Sequence, residues 1–162
     1  MMRRFQAMEQ QGKRCVLLYC GDHDPAGLNI SDSFRDMFLD LAGAVGWQPD
    51  NLVIDRFGLN ADFIEQHNLT WIDGLVTSSG ENLANPKHLH HDRDYVQSYL
   101  AKYGARKVEA NALVVRADAA RDLCRTAINK YVPATAPHNH TVAIINARNE
   151  IRRSVMVRLE DE

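Results

Sequence analysis

A chain of 162 residues has room for one domain with a substantial core and too little for two well-developed ones. Its 45% hydrophobic and 25% charged residues argue against disorder, collagen or coiled coil, and 19 Lys plus Arg against 21 Asp plus Glu leave a net charge of −2. No global positive field advertises nucleic acid, so any DNA contact must use a local patch. Cys15, Cys20 and Cys124 are odd in number and lack C-x-x-C spacing, which argues against a disulfide framework and a Cys-rich zinc site and fits a reducing cytoplasm.

The first residues, Met1 to Gln6, are charged but lead into Glu9, Gly12 and Lys13 rather than an apolar stretch, so no secretory signal is expected. Nowhere do about 18 apolar residues run together, and no membrane span is expected either.

Residues 14–20 form an apolar run between Gly12 and Gly21 and read as a strand buried on both faces, the type found in parallel sheets. After Pro25, the apolar positions Leu28, Ile30, Phe34, Met37, Phe38, Leu41 and Val45 recur at three- and four-residue spacing up to Gly43 and Gly46, predicting an amphipathic helix. Residues 52–57 predict a second strand, parallel to the first across this long crossover. A short helix is predicted over 61–67. Residues 70–92, with their Gly, Pro, Ser and His, predict a long irregular connection. A helix is predicted over Asp94 to Tyr103, stopped by Gly104, then a strand over Arg106 to Asn111 and a helix over Asp118 to Tyr131. Beyond a linker bracketed by Pro133 and Pro137, Thr141 to Leu159 predicts a last helix with Ile144, Ile151, Val155 and Leu159 on one stripe. That stripe could dock on its own domain or join a second copy in a homodimer. The domain division read from this is 1–132, followed by a linker and carboxyl-terminal helix over 133–162.

The chemistry concentrates just past the first strand. Asp22 and Asp24 lie two residues apart in an extended segment, so both carboxylates can project to one side and share a cation. Gly21 and Gly27 allow close approach of backbone and ligand, and Asp24 stands where a helix N-cap belongs, with Pro25 at the first helical position. Two hard carboxylates suit Mg²⁺ or Mn²⁺ and a phosphoester substrate. The plainer alternative is a helix cap and a turn. His23, between the two, points to the opposite side, toward packing or a phosphate.

The segment Asp22-His23-Asp24-Pro25-Ala26-Gly27-Leu28-Asn29-Ile30 after an apolar strand resembles the D-x-D-P-x-G motif of TOPRIM domains, most closely that of the topoisomerase VI A subunit and of phage and mobile-element proteins. Arg56-Phe57-Gly58-Leu59 resembles the strand end that follows in them. The resemblance implies an α/β, Rossmann-like fold with about four mostly parallel strands between helices. It also implies an aspartate pair that holds Mg²⁺ during DNA cleavage, rejoining or primer synthesis, and a glutamate on an earlier strand. About a dozen residues precede the first strand here, too few for another strand and its crossover, so a missing amino-terminal segment or a partner subunit is expected to supply that glutamate.

Glu109, ending a predicted strand, is a candidate third metal ligand, as is Asp55; both also read as solvated charges. Gly27 and Lys87 are candidate phosphate or DNA contacts beside His23. None of Tyr19, Tyr95, Tyr99, Tyr103 and Tyr131 is assigned as a nucleophile. His88, His90, His91, His138 and His140 match no established zinc spacing. Arg116, Arg121, Arg125 and Lys130, then Arg148, Arg152 and Arg153, are numerous enough for a local phosphate-binding face. Two other functions compete with metal-dependent nuclease or topoisomerase chemistry. One is a non-catalytic nucleic-acid or protein interaction module. The other is a haloacid-dehalogenase-like phosphatase, against which Pro25 after the second aspartate counts.

Overall fold

An apolar tetrapeptide, Val16–Tyr19 (β1), starts the sheet, and the helix Pro25–Val45 (α2) carries the chain back so that Val53–Arg56 (β2) pairs with it in parallel, Val16 opposite Val53 and Tyr19 opposite Arg56. This βαβ unit, as the sequence predicts, lies within a computed structural model that describes residues 1–160, with side chains through Met156. α2 begins where local chemistry says it must: Asp24 caps it, Pro25 occupies the first turn, and Gly46 ends it with φ 69°, a left-handed conformation that suits a residue without Cβ.

The residues ahead of β1 form a helix, Met2–Gln10 (α1), which the sequence reading leaves unassigned. Met2 and Phe5 join Cys15, Phe38, Trp47 and Leu52 in the core over one face of the β1–β2 pair, with Leu17, Phe34 and Ile54 packed alongside. Phe5 lies 5.9 Å from Trp47 and 6.3 Å from Phe38 between ring centroids, and the Trp47 indole N–H donates to Glu9 at 2.6 Å. Tertiary packing thus holds a segment whose own pattern is weak.

Past β2 the chain turns through Leu59, fully buried with φ 44°, into Ala61–Gln66 (α3), and Leu59, Phe63, Ile64, Leu69 and Val108 make a second core cluster. Ile72–Asp73 (β3) pairs antiparallel with Arg106–Lys107 (β4), which follows the helix Asp94–Tyr103 (α4). The connection between β3 and α4 is irregular, as predicted, yet Leu75 and Leu83 are buried with Val96 and Tyr99 in a third cluster. Asn82 organises it, its Oδ1 accepting from the N–H groups of Leu75 and Ala84.

The described strands therefore form two pairs, one parallel and one antiparallel, where about four in one mostly parallel sheet are expected. The predicted strand over Arg106 to Asn111 is cut short. Val108 bridges to His23, and the Ala110 N–H turns to the Asp22 carboxylate, after which Ala110–Arg116 winds as a 3-10 helix into Ala117–Asn129 (α5).

The chain divides into two compact units, Met1–Ala127 and Ile128–Glu162. The second is dominated by Ala136–Glu160 (α6), on which Ile145, Ile151, Val155 and Met156 are exposed; the side chain of Leu159 lies outside the described residues. Among the described residues no helix is long and apolar enough to cross a membrane.

Candidate functional site

β1 ends at Tyr19, and soon after it the chain is pinned residue by residue. The Asp22 carbonyl accepts from an Arg56 Nη2 N–H at 3.1 Å, and Asp22 Oδ1 accepts from the Ala110 N–H at 2.6 Å. Asp24, extended at φ −143° and ψ 172°, accepts through Oδ1 from the Gly27 N–H at 2.5 Å. Each carboxylate is thus oriented by one backbone amide through one oxygen, and neither second oxygen has a hydrogen-bond partner among the described residues.

Both aspartates line a single cleft of about 480 Å³, together with Pro25, Thr77, Lys107 and Glu109. The Lys107 ammonium is tied to the Val76 carbonyl at 2.9 Å and to Glu109 at 2.8 Å, and that cation beside it holds the Glu109 carboxyl below the usual carboxylate range. The site is therefore amphoteric: its lining holds two aspartates, the Lys107–Glu109 ion pair and a threonine.

His23 faces away from the cleft. It is 2% exposed, with Trp71, Tyr99 and Tyr103 around its ring at centroid distances of 4.7 to 5.7 Å. Nδ1 lies 2.6 Å from the Leu59 carbonyl; a carbonyl only accepts, so Nδ1 carries the proton and the buried Nε2 is left without a partner among the described residues. Its backbone is equally fixed: its N–H donates to the Val108 carbonyl at 2.7 Å, and its carbonyl accepts from Val108 and from the Tyr99 hydroxyl. His23 is a wedge that sets the direction of its two neighbours.

Burial is the main influence on the His23 ring and lowers its pKa, outweighing the Leu59 hydrogen bond that raises it. The unfolded chain therefore binds a proton more readily than the native one. The stability from a neutral His23 is fully present above pH about 6.5 and declines as pH falls through the depressed native value. Melting temperature should fall on acidification below pH about 6.5, and His23→Phe should flatten that slope at the cost of an unpaired Leu59 carbonyl. Equal slopes in both proteins would show that the ring does not titrate with unfolding.

Gly27 serves the site by its lack of a side chain and by the N–H it donates to Asp24: a Cβ there would stand 2.3 Å from the Asp22 carbonyl oxygen. Lys87 is exposed in the β3–α4 connection, outside the residues lining the cleft, and Asp55 lies within β2 opposite Leu18, also outside them. The histidines of that connection serve its own structure, His88 meeting Glu81 at 3.1 Å and His91 the Leu83 carbonyl at 3.0 Å. Lys107, which lines the cleft, and Arg56, which holds the Asp22 carbonyl, are not among the site candidates that the sequence reading names. Lys107 and Glu109, two apart in an extended segment, share a side, and that spacing is the signal which could have revealed the lysine.

No protein-family model matches the chain, and comparisons with curated proteins and with solved structures give no match.

Proposed function

We propose that the chain is a TOPRIM-like, Rossmann-type domain that acts on DNA phosphodiesters with Mg²⁺ or Mn²⁺. The observation that carries this reading is the common cleft: Asp22 and Asp24, at the carboxyl end of a parallel strand and the start of a helix, face it with second oxygens unengaged. Ligands of open α/β sheets gather at that edge. The donor set fits a hard cation that keeps several waters, with Asp22 and Asp24 as its protein ligands. When bound, such an ion supplies polarisation of a phosphoryl oxygen.

The chain's own residues do the rest. The Ala110 and Gly27 amides hold the carboxylates in place, so no reorganisation is needed when the substrate arrives. Lys107 adds a positive charge to the same cleft as the acids, where it can attract a phosphate, and Glu109 fixes the ammonium's position. Arg56, through the Asp22 carbonyl, positions the loop and does not reach substrate in this reading.

A second reading has its own support. Glu109, the third acid of the cleft, is engaged by Lys107, which leaves two aspartates as open carboxylates, and two can hold a cation in a binding module that engages nucleic acid without cleaving it. Plasmid nicking with Mg²⁺ or Mn²⁺ separates the two. Cleavage that EDTA stops and Asp22→Asn abolishes is the expected result. Equal nicking by both proteins would mean a contaminant, and plasmid binding without nicking would select the module.

A further inference from the structure

The strand nearest the site has one edge without a strand neighbour among the described residues. Among the described residues β1 pairs only with β2, and the register turns the peptide groups of Cys15, Leu17 and Tyr19 toward it: the Val53 N–H donates to the Cys15 carbonyl at 3.1 Å and the Phe57 N–H to the Tyr19 carbonyl at 3.0 Å. Successive peptide groups of a strand point to opposite edges, so those of Val16 and Leu18 point the other way, where no described strand pairs with them. Beside this edge runs a groove of about 700 Å³ between α1 and β1, floored by Phe5, Met8 and Cys15 and rimmed by Arg4, Lys13 and Arg14.

We infer that this edge and groove form a docking site for an acidic extended segment of another protein, which joins β1 as an added strand. Open peptide groups select a strand-like ligand, because only an extended backbone offers donors and acceptors at matching spacing. The apolar floor takes its inward side chains. Charge sets the rest: the exposed Arg4 and Lys13 on the rim favour Asp and Glu at the outward positions. A second copy of the chain is a poorer occupant, since edge-to-edge pairing would bring the same cations together.

The probe is a capped peptide of alternating valine and glutamate, about eight residues long, with its valine–lysine counterpart as control. Saturable binding of the acidic peptide is expected, with hydrogen exchange of the Val16 and Leu18 amides slowed at least about tenfold and the lysine peptide bound at least about tenfold more weakly. Raising salt from about 50 to about 500 mM should weaken the complex. Val16→Pro removes an N–H directed away from β2, a position where a strand tolerates proline, so it should abolish binding without changing the melting temperature. Should that variant not fold, Arg4→Glu combined with Lys13→Glu, both on exposed residues, decides the matter by reversing the preference toward the lysine peptide. The inference is overturned by absence of saturable binding, by equal affinity for the two peptides, by unchanged preference in the charge-reversed protein, or by Val16 and Leu18 amides already protected in the free protein.

Discussion

Alanine at Gly27 is expected to destabilise the protein by about 3 kcal/mol, at the upper end of the cost of overpacking, and to lower its melting temperature by about 6–12 °C. The added methyl would stand 2.3 Å from the Asp22 carbonyl oxygen, 3.0 Å from its carbon and 3.1 Å from Asp24 Oδ1. Two of these are backbone atoms that cannot swing aside. Relief must come from moving the Asp22 peptide, which strains the Arg56 bond to its carbonyl and draws its carboxylate away from the Ala110 N–H. Gly43, farther along the same helix, has nothing within 4 Å of its would-be Cβ. Alanine there should instead stabilise by about 0.5–1 kcal/mol, because it restricts the unfolded chain and favours helix. Calorimetric melts of the two variants should therefore shift in opposite directions. A Gly27→Ala protein as stable as the native one would mean that the loop before α2 yields freely, and then the aspartates are not held as described.

How much of this was legible beforehand depends on the range of the contacts involved. The β1–α2–β2 unit is encoded locally, by an apolar run, a capping aspartate with proline after it, and a glycine at the far end, and its bounds follow those signals. α4 likewise begins at Asp94 and stops before Gly104 as read. α1 escapes such a reading because Met2, Phe5 and Met8 are its only large apolar residues and their partners, Phe38 and Trp47, are supplied by α2 and the turn after it. Alternation says that His23 points away from its neighbours, but not that Tyr99, 76 residues on, covers it and bonds its carbonyl. The same limit hides the cleft. Asp22 meets Ala110 across 88 residues, and Lys107 and Glu109, just ahead of that contact, line the same cleft as the aspartates. No periodicity in a window of a dozen residues carries such information.

Asp24 is where structural and chemical roles overlap, and two substitutions pull them apart. Asparagine keeps an oxygen acceptor for the Gly27 N–H and is as good an N-cap as aspartate, so Asp24→Asn should melt within about 0.5 kcal/mol of the native protein. Alanine removes the acceptor and should cost about 1 kcal/mol. On the proposed metal role both variants lose the charge that a hard cation requires, and Mn²⁺ affinity should fall by at least about a hundredfold in each, with metal-dependent nicking lost alongside. A purely structural Asp24 predicts a different pattern: the alanine variant impaired in proportion to its stability, and the asparagine variant indistinguishable from native in Mn²⁺ titration. The asparagine variant is therefore the decisive one. Its helix start and the cleft built on it persist, so a loss of metal binding there can come only from the missing charge, and native-like binding would remove Asp24 from the ligand set.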